Sequence, residues 1–401
     1  MDPSKFQAST SGKVIRLPQG YWAFLPAALP PALTFSPSLV AALSDADRAL
    51  GELKGLGGTL ANPHLLIQPL ARREAVFSSR IEGTRASLDD LLAYEATEAK
   101  NSPLSFLETG SDVREVHNYV RALEYGLASI HTLPISQRLI REMHARLMEG
   151  VRGDVWIPAA ENAASEFRRS QNWIGPAGST LETALYVPPP VDDMLAALSA
   201  LENFIHAPSD LPPLLRLGLI HYQFEAIHPF LDGNGRLGRL LIALLLSAWQ
   251  LLPQPLLYLS AYFESNRRTY YELLLAVSQR AAWEDWLLYF LEGVKQQSQD
   301  AVNRIDRLQA LRVQYQAQIQ ARRAPARLLR VVDLLFAQPV ITTRQVEIAL
   351  ETNFLGAQRL IDQLVQAGLL REITGGRRNR VYRADEILRD CLRSLNTGQT
   401  A

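Results

Sequence analysis

The chain carries one cysteine, Cys391, among 401 residues. A single thiol excludes an internal disulfide and a cysteine-built zinc finger, and it fits a reducing compartment. Net charge is absent as well: 41 Lys and Arg balance 41 Asp and Glu. No global field therefore draws the molecule to nucleic acid or an anionic bilayer, and any such contact has to be a local patch. The most apolar stretch, residues 240–252, is interrupted by Gln250 and falls short of the roughly 20 residues that a membrane-spanning helix needs. It predicts a buried helix. The opening Met1-Asp2-Pro3-Ser4-Lys5 leads into polar residues without an apolar signal segment, so the expectation is a cytoplasmic protein with no membrane partner. Internal repeats and low-complexity tracts are missing too.

What is present is 47% apolar and 20% charged residues, the balance of a soluble globular chain, at a length that suggests two or three domains. Residues 1–20 read as a loose tail and the proline-rich 25–37 as irregular. Apolar spacing is helical over 37–95 and 110–149. Between 164 and 190 the pattern breaks: 166–174 is strand-like, Gly175-Pro176-Ala177-Gly178 is a turn, and 184–187 is extended again, which predicts a β-hairpin over 166–188. Helices then resume at 192–207, 214–227, 237–249, 270–279 and 283–322. After Ala324-Pro325, three short helices (328–336, 343–350, 356–367) precede two extended runs around Gly375-Gly376. That order predicts a winged helix-turn-helix. The segmentation expected is 1–100, a core over 101–300, a linker helix over 301–324 and the C-terminal module over 325–401.

The run Gly233-Asn234-Gly235-Arg236-Leu237-Gly238 matches G-x-G-x-x-G, the dinucleotide fingerprint. That fingerprint needs a strand before it and an acidic residue about 20 positions on. Here a helix-periodic run precedes it and Tyr258 occupies the acidic position. The loop instead suits an anion cradle, because close glycines let backbone N–H groups approach phosphate and the loop opens a helix. Arg236 and Arg239, three apart, share a helix face and reach oxyanions. Asp232, the carboxylate of the loop, is placed to ligate Mg²⁺ beside a polyphosphate. His228, directly before a helix-stopping proline, is a candidate general base. A lone histidine is ordinarily a packing residue, but here base, carboxylate, glycines and arginines crowd into one short stretch.

Residues 228–239 resemble the signature of the Fic family, His-x-Phe-x-Asp/Glu-Gly-Asn-Gly-Arg-x-x-Arg, without a departure. The resemblance implies a mainly α, Fic-type helical bundle with a β-hairpin flap. It also implies a protein adenylyltransferase, with ATP as substrate and Mg²⁺ as cofactor. His228 would deprotonate a Ser, Thr or Tyr hydroxyl of a target protein, which attacks the α-phosphate and releases pyrophosphate. Asp232 would bind Mg²⁺. Asn234 and the amides of Gly233, Gly235 and Gly238 would hold the inner phosphates, and Arg236 and Arg239 the outer ones. Phe230 would pin the loop. Gln171-Asn172-Trp173-Ile174-Gly175 and Tyr186-Val187-Pro188-Pro189 resemble the family's flap, which places Ile174 and Gly175 over the nucleotide and offers an edge for strand addition. Tyr270-Tyr271 resembles a pair that lines the adenine pocket, although Ser278 stands where some relatives carry Asn. Core packing is an equal reading for the two tyrosines.

Upstream, Ser78 and Glu82 lie i, i+4 on one helix face, and Gly83 is a natural helix stop. Glu82 thus sits at the negative end of its helix, where a carboxylate is better accommodated with a cation. Ser-x-x-x-Glu-Gly resembles the inhibitory helix of Fic proteins, here about 70–83. It implies that Glu82 pairs with Arg239 and keeps it off the γ-phosphate. In the C-terminal module, Arg377, Arg378, Arg380 and Arg383 form a basic wing, while helix 356–367 offers only Gln358, Arg359 and Gln363 as polar readers. DNA and protein contact both remain open there. Two other functions stay in view: a nucleotide-sensing DNA-binding regulator, and removal of AMP by the same site with Glu82 positioning water. The long helix to Arg322 is the candidate surface for a homodimer.

Overall fold

The computed structural model describes residues 1–7, 9–60, 63–98, 111–151, 166–322, 325–376 and 380–392. Arg377 and Arg378 of the expected wing, together with Gly110, Ala164 and Ala324, lie outside them. The described chain is mostly helical with small antiparallel sheets, and it forms two compact units that interleave in sequence.

The first unit comprises Met1–Gly51, Arg121–Pro253 and Leu259–Gln297. It opens with a short 3-10 helix, Pro3–Phe6, capped by the Asp2 side chain, and continues into strands β1 (Gly12–Arg16) and β2 (Trp22–Pro26). These pair antiparallel with Gly12 opposite Pro26 and Arg16 opposite Trp22. The opening residues are thus an ordered hairpin and not the loose tail expected. Phe6 and Phe24 are buried and stack near Tyr186, at 6.4 and 5.9 Å between ring centroids. The signal was present in the turn Leu17-Pro18-Gln19-Gly20 between two apolar runs, where the Gly20 N–H donates to the Leu17 carbonyl.

The first part of α1 (Pro37–Thr59), the last part of α4 (Ser111–Ser129) and α5 (Gln137–Leu147) follow. The helices α2 (His64–Ile81) and α3 (Leu88–Glu98) between them belong to the second unit. Beyond residue 190 the first unit is built from α6 (Val191–His206), α7 (Pro213–Ile227), α8 (Asn234–Ala248), α9 (Ser260–Ser265), α10 (Arg267–Arg280) and the start of α11 (Trp283–Ala321). Helix α7 is buried on nearly every side, which marks it as the central helix. It packs against α6 and α8. Its Gly218 carbonyl accepts from the Trp286 indole at 2.9 Å. The apolar stretch noted in the sequence is the buried body of α8, and none of the described helices is long and apolar enough to cross a membrane.

The second unit comprises Glu52–Val120, Gln254–Tyr258 and Ser298–Ala401. Its C-terminal part runs α12 (Ala326–Ala337), β3 (Val340–Thr342), α13 (Thr343–Ala349), α14 (Phe354–Gln366), β4 (Arg371–Glu372), β5 (Val381–Arg383) and α15 (Asp385–Leu392). The three strands pair antiparallel in the order β3-β5-β4, one strand more than the two extended runs expected. Thr342 starts α13 with a reciprocal capping box to Gln345. Helices α12 and α15 both pack on α2. The fully buried Arg304 donates to the Asp390 and Cys391 carbonyls at 2.6 Å and to Asp300 at 2.7 Å, which satisfies the carbonyl end of α15.

Candidate active site

Helix α7 ends where proline forbids it to continue. His228 N–H still donates to the Phe224 carbonyl at 3.1 Å, but the residue itself adopts φ 49, ψ 62. A left-handed conformation costs a residue with a side chain about 1–2 kcal/mol, so the turn has to be held from outside. It is: the His228 carbonyl accepts from Arg168 Nε at 3.0 Å and from Asn172 Nδ2 at 3.3 Å. The imidazole Nδ1 lies 3.2 Å from the Glu225 carbonyl. A carbonyl only accepts, so Nδ1 carries a proton, and in the neutral tautomer the lone pair falls on Nε2.

The same logic continues along the loop. Pro229 carbonyl accepts from the Arg168 backbone N–H at 2.9 Å. Phe230 carbonyl accepts from Asn172 Nδ2 and from Asn234 Nδ2, both at 2.8 Å, while Phe230 N–H donates to Asn234 Oδ1 at 2.8 Å. Asp232 carbonyl accepts from His144 Nε2 at 3.0 Å, and the His144 ring stacks on Phe230 with centroids 3.7 Å apart and planes 8° off parallel. Carbonyls of the loop are thus tied to protein donors. Helix α8 then starts behind Gly233, whose φ of 80 favours glycine and whose side no side chain caps. The first-turn N–H groups of α8 have no intrahelical acceptor, which suits an anion at this end.

Arg236 and Arg239 stand on α8 at 2% and 3% exposure. Arg236 Nη2 reaches Asp232 Oδ1 at 3.4 Å and Met148 Sδ at 3.7 Å. The Asp232 side chain is half-exposed, and its Oδ1 accepts from the Gly233 N–H at 2.6 Å. At Gly238 an added Cβ would meet the Phe224 ring at 3.2 Å, so α7 and α8 approach closely there. The Gly238 carbonyl accepts from His221 Nδ1 at 3.2 Å, and His221 Nε2 accepts from the Tyr270 hydroxyl at 2.8 Å. Burial, together with the Arg239 charge, lowers the His221 pKa to about 3, so this histidine is neutral.

Two residues assigned to the nucleotide above are bonded to protein groups. Asn234 is buried with both ends of its amide engaged by the Phe230 backbone, so it staples the loop. Tyr270 is 1% exposed with its hydroxyl on His221, which makes it a core residue; of the pair, Tyr271 is exposed. Ser278 lies against the Tyr222 hydroxyl at 2.9 Å inside the core. The expected flap hairpin is reduced to a single antiparallel bridge, Ile174 with Tyr186. Turns at 177–178 and 181–183 stand in place of regular strand pairing. Trp173, Ile174 and Leu185 are exposed on it, and a Cβ on Gly175 would crowd Ser179. Glu82 is the C-cap of α2 with Gly83 at φ 101 behind it, as the helix-stop reading requires. Ser78 is fully buried on the same helix, and both residues belong to the second unit.

Sequence reasoning missed Arg168, His144 and His221. None belongs to the loop, and no periodicity marks them.

A helical bundle whose central helix ends in a histidine turn over an uncapped helix N-terminus defines the class: a Fic-type fold. Residues 40–128 match the family described as Fic/DOC family N-terminal, and residues 134–246 match Fic/DOC family. The chain belongs to the Fic/DOC family. Among its relatives, "Protein adenylyltransferase Fic" of Drosophila willistoni and that of Drosophila virilis are each 30% identical over 154 residues, 35% of this chain and 27% and 28% of theirs. The chain therefore spans little more than a quarter of the length of these curated relatives. A crystal structure of a Fic family protein from Desulfovibrio desulfuricans G20 shares the fold with TM-score 0.55 at 16% identity, over 89% of this chain and 98% of that one.

Proposed function

We propose that this protein is an adenylyltransferase that moves AMP from ATP to a Ser, Thr or Tyr hydroxyl of a protein, itself included. One observation carries the reading: the loop presents His228 beside the uncapped start of α8, with two buried arginines on its first turns. In this reading His228 Nε2 takes the hydroxyl proton, the freed oxygen bonds to the α-phosphorus, and the bond to the leaving pyrophosphate breaks. Backbone N–H groups at Gly233 and Gly235 hold phosphate oxygens, and Arg236 and Arg239 neutralise the outer charge. Ile174, Gly175 and Tyr271 flank the nucleotide. Among the described residues no group of three His, Cys, Asp or Glu gathers into a metal cage. A single half-exposed Asp232 still fits Mg²⁺, which is commonly held by one or two carboxylates plus substrate phosphates. The ion would offset phosphate charge there.

Restraint by Glu82, with Ser78 on the same helix, is the regulatory half of the proposal; its pairing with Arg239 rests on the sequence resemblance. A cytoplasmic setting accords with the buried thiol of Cys391, and α11 is the surface proposed for self-association. The test is intact mass after incubation with ATP and Mg²⁺. The Glu82→Gly chain gains the mass of AMP in excess over wild type, and His228→Ala gains none. Equal gain by His228→Ala overturns the reading, and loss of AMP from a modified chain would favour the reverse reaction.

The C-terminal module favours a protein partner over duplex DNA. Gln358 is engaged by Thr343, Asp362 and Tyr382, and Arg383 by Asp89 and Asp385. The exposed face of α14 carries the apolar Phe354, Leu355 and Val365 and the acidic Asp362 beside Arg359 and Gln363. Of these, only Arg359 and Gln363 suit a phosphate.

A further inference from the structure

Arg168 is 3% exposed, yet among the described residues no carboxylate pairs with it. Its described hydrogen-bond partners are backbone carbonyls. Nε donates to His228 at 3.0 Å, Nη1 to Ser170 at 3.2 Å and Nη2 to Pro189, while the residue's own N–H donates to Pro229 at 2.9 Å. A buried charge without a counter-charge is costly, and burial lowers this guanidinium's pKa to about 10. A planar fork with donors on three separate nitrogens meets three carbonyls that lie apart, which the single nitrogen of a lysine does not. Those carbonyls come from the two stems of the flap, Ser170 and Pro189, and from the histidine turn between α7 and α8. Asn172, on the first stem, adds a second donor to His228 and one to Phe230.

We propose that Arg168 is a positioning residue that locks the flap stems and the left-handed turn at His228 into one body, so that flap position sets the aim of the imidazole. The proposal rests on the AMP-transfer reading of this loop. It does not involve the anion end of α8, which Arg168 does not touch. Removing the fork therefore misdirects the base, while ATP affinity, carried in this reading by the start of α8 and its two arginines, is expected to hold. Charge is not sufficient: a lysine at 168 keeps the cation but cannot span three carbonyls.

The experiment compares Arg168→Lys, Arg168→Met and Asn172→Ala with the parent chain, each alone and combined with Glu82→Gly. Single-turnover label transfer at saturating ATP, ATP affinity by calorimetry and the His228 imidazole resonances (assigned with His228→Gln) are measured on folded protein. Arg168→Lys is expected to slow transfer on the order of 10²-fold, the usual consequence of a misplaced catalytic group, at unchanged ATP affinity and with displaced or broadened His228 resonances. Asn172→Ala moves the same readouts less. If Arg168→Met does not fold, the lysine and Asn172 variants carry the test. Wild-type transfer rates in Arg168→Lys, or a fall in ATP affinity that matches the fall in rate, overturns the proposal. If no chain transfers label, the AMP-transfer reading fails. The His228 resonances still decide Arg168: displaced or broadened in the lysine variant they support the strut, and superimposed on wild type they remove it.

Discussion

His221→Phe tests the electrostatics behind the site. In the folded chain His221 donates from Nδ1 to Gly238, accepts at Nε2 from Tyr270, and stacks near Phe263 with ring centroids 5.8 Å apart. Phenylalanine keeps the ring and loses both bonds, leaving the buried Tyr270 hydroxyl without its acceptor. The Gly238 carbonyl lies inside α8 and keeps its helical donor, so one buried group loses an acceptor and a loss of about 1–3 kcal/mol is expected at neutral pH. The pH dependence is more discriminating. Burial lowers the His221 pKa to about 3 from 6.5. Below about pH 6.5 the unfolded chain therefore takes up a proton that the folded chain refuses. Stability from this group is present above that pH and is lost as pH falls toward 3, by about 1.4 kcal/mol per pH unit. Urea unfolding followed by tryptophan fluorescence at pH 7, 6, 5 and 4 should show wild type converging on the variant as pH falls. Parallel pH profiles for the two chains would refute the buried neutral histidine.

Three further outcomes follow from the geometry. Asn234→Ala removes both bonds to the Phe230 backbone; it should lower stability by about 1–3 kcal/mol and weaken ATP binding measured by calorimetry through loss of the loop's staple. Unchanged ATP affinity would count against the staple. Cys391 is buried with its thiol pKa raised to about 12, so a thiol reagent should modify it in urea and leave it intact in the native protein at pH 8. Random duplex DNA should give no salt-sensitive gel shift with the full chain, and a shift that fades with salt would restore the DNA reading.

Much of the helical fold was legible because apolar spacing reports helix faces directly, and α7, α8 and α11 fall where that spacing placed them. The N-terminal hairpin was legible only at its turn, since burial does not alternate along its strands and Ala23 and Phe24 are buried in succession. At the site, sequence named the loop but not its supports. His144 lies 88 positions before its partner carbonyl and Arg168 60 positions before its own, and contacts of that range leave no mark in local spacing. Asn234 and Tyr270 show the complementary failure. Their positions in a motif predicted ligand contact, while their hydrogen bonds turn both inward.

The central claim is that His228 directs attack on the α-phosphate. Incubating the Glu82→Gly chain with ATP labelled at either the α- or the γ-phosphate tests it most directly, with Glu82→Gly combined with His228→Ala alongside. The account predicts that α-label becomes acid-stable on protein, that γ-label does not, and that the histidine variant takes up neither. Uptake of γ-label, or α-label that persists without His228, would contradict it.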